Sequence, residues 1–403
     1  MPSVVIGIFI FVYLGMVLGR IPGLALDRTG VALLGAIALL AFGDFRMADF
    51  GAAVDIPSLA LLFGLMVVSA QFRLGGFYTY VVRKLAEVKS SAELFLAYLI
   101  GLVGVLSAVL ANDIVCLAVA PVLVELCAKR ELDPKPFLLA LACAANVGSA
   151  ATLIGNPQNM LIGQVMGLSF GGYLAHALVP SAVGLVIVWA VIVILYKGRW
   201  NRHTNPPMWE SPRFDGWQSG KGLAVLGGLM VCFLFAPWPR EIVALVGGGV
   251  LLCSRHMRSR EMLGLVDWQL LLLFLCLFVV NYALRATGSL DQWAASLASA
   301  GIDIRHPAWL FGITVPLSNL VSNVPAVMLL LPYAAGDRAG AVLALSSTLA
   351  GNLLIVGSIA NIIVVDQASR LFIRISWSEH ARVGVPVTVI TCLVAAVWLW
   401  LTA

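Results

Sequence analysis

Charge is what this sequence has least of. Only 11% of its 403 residues are charged and 61% are hydrophobic, with a mean hydropathy of +0.98. A soluble domain carries about 25% charged residues, so a water-soluble globular protein is excluded. The net charge of +5 is small and spread over loops, which leaves no basic patch for nucleic acid. Cysteines are few (Cys116, Cys127, Cys143, Cys232, Cys253, Cys276 and Cys392), and no paired spacing suggests disulfides or zinc. No Walker A pattern occurs, and no soluble segment is large enough to bind a nucleotide, so ATP could act only through a partner ATPase subunit. A membrane enzyme would want His, Asp or Cys clustered at one depth, and none is found. No enzyme activity and no cofactor are therefore expected. The first apolar run, Val4 to Leu18, has no Lys or Arg before it and no small-residue cleavage site. It reads as a retained span rather than a signal peptide.

What the chain has is long apolar runs. A span needs about 17–25 such residues. Candidate spans are 3–19, 30–43, 56–72, 137–165, 173–196, 222–238, 241–254, 268–286, 341–365 and 383–402, with 30–43 and 241–254 short by this measure. Two further runs, 92–128 and 306–334, each hold a polar interruption: Ser107 to Asp113 in one, Ser318 to Pro325 in the other.

Lys and Arg concentrate on the cytoplasmic side of membrane proteins. The stretches 73–91, 196–221, 254–261 and 366–382 are basic and should be cytoplasmic, whereas 44–55, with Asp44, Asp49 and Asp55, should face out. Both flanks of 92–128 are basic. The run then enters and leaves on one side, as a re-entrant hairpin with its tip near Asn112 and Asp113. By the same register 306–334 turns back from the opposite side. If each hairpin arm crosses fully, the chain has more spans and no hairpins.

The punctuation repeats. Ser107, Asn112 and Pro121 fall onto Ser318, Asn323 and Pro332; Gly155 and Asn159 fall onto Gly357 and Asn361. The expected architecture is an all-α polytopic membrane protein of two inverted repeats, with about ten transmembrane helices, two re-entrant hairpins and discontinuous central helices. Residues 1–196 form the first repeat (hairpin 92–128, broken helix 137–165), 197–221 a cytoplasmic linker, and 222–403 the second (hairpin 306–334, broken helix 341–365). Interrupted helices at matching positions of inverted repeats point to a secondary transporter's site.

The candidate binding residues follow from the interruptions. Pro157 disfavours helix at Asn156, and Gly155 tolerates unusual dihedrals, so the span should unwind at 155–158. Unwound backbone at membrane depth persists only beside protein or water, where its carbonyls and amides can bind an ion or a polar solute. The partner segment, Leu353 to Asn361, lacks the proline and has less reason to unwind. The set is Asn112, Asp113, Ser149, Thr152, Gly155, Asn156 and Asn159, with Ser322, Asn323, Gly357, Ser358 and Asn361 in the second half. Gly148, Ser149, Ala150 and Ala151 also read as close helix packing. A carboxyl group at membrane depth is costly and functional by default; Asp113 is the candidate proton carrier, or else a structural ion pair or helix cap. Its counterpart is Val324. No cation is evident near either interruption. Glu125 should be solvated at the cytoplasmic end, and Arg285 should snorkel from a span end.

These motifs resemble the ion transporter superfamily, which includes arsenite permeases, sodium/proton antiporters, and citrate and dicarboxylate carriers. Leu110-Ala-Asn112-Asp113 is similar to the arsenite permeases' Ala-Asn-Asp tip, and Ser322-Asn323-Val-Pro325 to their Asn-x-Pro tip. Dicarboxylate carriers favour Ser-Asn-Thr at both tips, and this chain departs from that at Asp113 and Val324. The Gly155-Asn-Pro-Gln-Asn159 run looks more like general anion permeases. The resemblance implies a carrier of the elevator type in the inner (plasma) membrane, commonly a homodimer. For the arsenite branch it implies export of arsenite or antimonite against inward protons. The alternatives are a cation-coupled carrier of inorganic or organic anions such as citrate or dicarboxylate, and a sodium/proton antiporter exchanging at Asp113. The coupling ion is proton or sodium.

Overall fold

The computed structural model describes residues 2–19, 25–43, 46–201 and 212–402. Among them the regular structure is helical, with one isolated bridge between Leu132 and Asn201. The first half runs α1 (Pro2–Leu18), α2 (Arg28–Phe42), α3 (Phe50–Ala53), α4 (Ile56–Leu74), α5 (Phe77–Glu87), α6 (Ala92–Val109), α7 (Asn112–Lys129), α8 (Pro134–Ser149), α9 (Pro157–Val165) and α10 (Phe170–Tyr196). The second half runs α11 (Gly216–Phe235), α12 (Arg240–Leu252), α13 (Ser259–Leu263), α14 (Trp268–Ala286), α15 (Ser289–Ser299), α16 (Pro307–Val321), α17 (Asn323–Leu330), α18 (Gly336–Ala350), α19 (Ile359–Arg370) and α20 (Trp377–Leu401). Each helix of the first half has its counterpart ten labels on.

Local signals place these boundaries. Asp55 and Asp267 occupy matching positions before α4 and α14, and each accepts a bond from a first-turn amide, Ser58 N at 2.7 Å and Leu270 N at 2.9 Å. Such caps satisfy amides that no helix turn can reach. Gly76 and Gly288, at φ +66° and +71°, start α5 and α15 in matching left-handed turns. Both short helices lie in stretches that hydropathy reads as loops, because their apolar residues cover one face only.

Among the described residues, six helices are long and apolar enough to cross a bilayer: α4, α6, α10, α11, α14 and α20. As expected, α2 and α12 are short, at 15 and 13 residues. The expected linker is shorter than 197–221. Helix α11 already begins at Gly216, and Asp133 N donates to Trp200 O at 2.7 Å. Residues 202–211 lie outside the described residues.

The two halves are interleaved. Helix α2 packs on α14 and, reciprocally, α12 on α4. The carboxyl end of α4 (Arg73) shares a cavity with the amino end of α14 (Asp267), and Arg285 shares another with Asp55. The two helices are therefore antiparallel, which is the signature of inversion.

Hairpin α6–α7 lies against α8 through a glycine contact. A Cβ on Gly148 would sit 2.5 Å from the Cα of Gly104 and 2.8 Å from its carbonyl carbon. Small residues let membrane helices approach this closely. Gly148→Ala is expected to lower stability by about 1–3 kcal/mol, because backbone has to move. Gly101, on α6, faces open space, so Gly101→Ala should be neutral. Thermal unfolding in detergent of the two variants checks the contrast.

Candidate functional site

Both long central helices break. Helix α8 ends at Ser149 and α9 begins at Pro157; α18 ends at Ala350 and α19 begins at Ile359. The second break occurs without a proline because side chains satisfy the freed backbone. Asn361 Nδ2 donates to Gly351 O (2.7 Å) and Leu354 O (3.0 Å), and Ser358 Oγ caps Ala360 N (3.2 Å). The first break uses the same scheme. Asn159 Nδ2 donates to Ser149 O (3.4 Å) and Thr152 O (3.0 Å), and Asn156 Oδ1 caps Asn159 N (2.9 Å).

The breaks are cross-linked to each other. Asn146 on α8 donates to Asn361 Oδ1 (3.0 Å) and Asn352 Oδ1 (2.9 Å), and accepts from Ser358 Oγ (2.8 Å). Its counterpart on α18, Thr348, donates to Asn159 Oδ1 (3.2 Å) and accepts from Asn156 Nδ2 (3.3 Å). Gln158 Nε2 also reaches Thr348 Oγ1 at 3.3 Å. Each half thus supplies the polar partner that the other half's break requires. Tyr173 joins the network, accepting from Asn159 Nδ2 at 3.0 Å and donating to Ala150 O at 2.7 Å.

The hairpin tips dock on these breaks. Asn112 N donates to Gly155 O at 3.2 Å. With its amide oriented to satisfy its neighbours, Asn323 donates to Gly357 O (3.0 Å) and Ser347 O (3.1 Å), and accepts from Gln158 Nε2 (3.3 Å). Thr152 Oγ1 donates to Ala108 O in the first hairpin. Each tip therefore turns back inside the bundle, at the break of a helix in its own half. Gly155 has no room for a side chain; a Cβ would meet the carbonyl oxygens of Ser149 and Ser107. Ser322, at φ +77°, bends the second tip through a conformation that costs a non-glycine residue strain.

Of the twelve expected residues, most bond to one another, and Asp113 and Ser322 line cavities. Ser149 Oγ donates to Asn146 O and accepts from Asn156 Nδ2. Buried oxygens without a protein partner remain at both hairpins: Asn112 Oδ1, Ser107 Oγ, Ser318 Oγ and Asn319 Oδ1. Asn146, Thr348, Asn352, Gln158 and Tyr173 were not expected. The matching spacing of Asn146 and Thr348 before the two breaks was the signal available.

Asp113 stands in the first turn of α7, where the helix dipole favours an anion. It is half-buried, and its side chain makes no hydrogen bond or ion pair among the described residues. It lines a cavity of about 240 Å³ with Leu65, Met66, Leu117, Met160, Asp267 and Arg73. The expectation that no cation lies near either interruption is therefore wrong. Arg73 shares the cavity of the first tip, and Arg28 lines a second cavity, of about 340 Å³, beside Ser322, Val324 and Pro325. One other expectation also needs correction. Glu125 is not free in solvent but pairs with Arg83 (3.0 Å) and Lys129 (2.6 Å). Arg285 is exposed at the end of α14, where it lines a crevice.

Scaffold helices touch the tips through few polar contacts. Ser69 on α4 accepts from Ala111 N at 3.4 Å, while Tyr13 on α1 donates to Pro325 O (3.3 Å) and to Asn281 on α14 (2.9 Å).

Inverted halves, paired broken helices and opposed hairpins define a multi-pass membrane carrier. The chain belongs to the citrate transporter family CitMHS, which matches residues 12–341. It is 30% identical over 404 residues to the uncharacterized transporter Rv2685 of Mycobacterium tuberculosis (strain H37Rv), covering 93% of this chain and 94% of that one. The silicon efflux transporter LSI3 of Oryza sativa subsp. japonica is 27% identical, over 97% of this chain and 95% of the relative. Among solved structures, Neisseria gonorrhoeae MtrF, described as illuminating a class of antimetabolite efflux pumps, matches with a TM-score of 0.59 at 11% identity, over 99% of this chain and 94% of that one. That likeness shows the fold. The bacterial relatives place the protein in the plasma membrane.

Proposed function

We propose that the protein is a proton-coupled secondary active transporter that exports a small hydroxylated solute of the arsenite or antimonite type by elevator-type alternating access. The observation that carries this is Asp113: a half-buried, unpartnered carboxyl group at a hairpin tip, open to a cavity against scaffold helix α4. Its proton can be exchanged while the cavity is open and carried when the tip moves. The amide and hydroxyl lattice of Asn146, Asn156, Asn159, Thr348, Ser358 and Asn361 ties both breaks into one body that can move as a unit. The unpartnered oxygens of Asn112, Ser107 and Ser318 are left for the solute or a coupling ion. A polyhydroxy solute both donates and accepts, which suits a cavity that holds carboxyls and a guanidinium together.

A second reading is a carrier of inorganic or organic anions. Arg73 beside Asp113 favours it, as does the family to which the chain belongs. Uptake of arsenite, citrate and sodium into proteoliposomes under an imposed proton gradient separates the two. Arsenite is expected to move in the direction opposite to the proton flow. Movement of citrate or sodium with no movement of arsenite would overturn the first reading.

A further inference from the structure

Arg73 is the last-turn arginine of α4, and Arg285 is its counterpart on α14. A cation there suits the negative end of a helix, and that alone would explain either residue. It does not explain where they sit. Arg73 lines the cavity that holds Asp113, with Met66, Leu117, Ile363 and Asp267. Arg285 lines a crevice of about 330 Å³ with Phe278, Met328, Leu161 and Asp55. Position by position these are the same residues of the two repeats. Each crevice is bounded by the last-turn arginine of one scaffold helix and the capping aspartate of the other. They open at opposite ends of α4, about 28 Å apart at 1.5 Å per residue. Among the described residues neither guanidinium has an ion-pair partner within 4.0 Å. The two differ at the tip. Asp113 lines the first crevice, whereas Val324 does not line the second.

We propose that Arg73 and Arg285 are the solute-binding residues of two access sites on opposite membrane faces, Arg73 on the cytoplasmic side by the distribution of Lys and Arg. Each guanidinium donates its N–H fork to the oxygens of a small oxyanion or of its protonated, hydroxylated form. The inference deepens the proposed function by giving the solute a docking group at each mouth, and it rests on that reading for the direction of transport.

The test is sided. In a background with Cys232 and Cys253 replaced by Ser, Arg73→Cys and Arg285→Cys are expected to react with a membrane-impermeant maleimide from opposite faces. Arg73→Gln should raise the half-saturation concentration for solute presented on the cytoplasmic side by roughly tenfold or more, the loss of a charge-assisted hydrogen bond. The outer value should stay unchanged; Arg285→Gln should do the reverse, and Arg73→Lys should restore part of the effect. Labelling of both cysteines from one face, or equal changes at both faces, would overturn the inference. If the unaltered protein carries citrate and not arsenite, the proposed solute fails, while the same sided measurements with citrate still decide the roles of the arginines.

Discussion

Asp113→Asn is expected to fold normally and to lose pH-driven transport. The amide matches the carboxyl in shape, and no protein bond of the side chain is broken by the change. What disappears is the one carboxyl group at either tip, since Val324 occupies the matching place. The neighbours that remain in the cavity are Arg73 from α4 and Asp267 from the segment before α14, and Cys116 lies one turn on along α7. Accumulation driven by a proton gradient should fall by roughly 5–150-fold, the loss of a coupling free energy of about 1–3 kcal/mol. Downhill exchange of solute should survive. The measurement is transport by proteoliposomes with and without a pH difference. An Asp113→Asn protein that keeps its pH dependence removes Asp113 from the coupling step.

The second large effect is structural. Asn146→Ala should destabilise the protein severely. It removes the donor to Asn352 and Asn361 and the acceptor of Ser358, all buried. A buried polar group left without its partner costs about 1–3 kcal/mol, and here three are left together. Because the bonds join α8 of one half to the break of the other, the loss should also uncouple the two hairpins. A marked fall in melting temperature in detergent, with loss of transport, is expected. Lys129→Ala makes the contrast: its ion pair with Glu125 is on an exposed side chain, and such pairs contribute about 0–1 kcal/mol. Equal melting temperatures for the two variants would show that the lattice is not what holds the breaks together.

Much of this was legible in the order of residues. Pro157 after Gly155-Asn156 marks a break, although the unwound stretch is 150–156 rather than the expected 155–158 and Pro157 opens α9, and the recurrence of Ser, Asn, Gly and Asn at matching positions exposes the repeat. What escaped is what depends on long-range contact. Arg73 looked like one more basic residue of a cytoplasmic loop, and nothing local says that the end of α4 meets a tip at residue 113. The second break has no proline; its backbone is freed because Asn361 reaches back to two carbonyls, and a linear pattern does not show a side chain's reach. Asn146 and Thr348 were hidden for a related reason. Each sits in a nearly continuous apolar helix, and its partners lie in the other half. The amides at 156–159 looked like solute ligands by composition. In the fold they spend most of their hydrogen-bonding capacity on one another, and the free capacity lies at Asn112 and the two hairpin serines.

The brevity of α2 and α12 bears on the surrounding lipid. At 15 and 13 residues they rise only about 22 and 20 Å, well under the ~30 Å hydrocarbon thickness of an ordinary bilayer. They pack on α14 and α4, the helices against which the hairpin tips rest. On the proposed elevator reading, a membrane that thins to meet short helices does so beside the body that moves, so the distance a carried solute must cross is shorter there than the bilayer at large. Lipid thickness then enters the energetics of the stroke itself, as elastic work shared between protein and membrane.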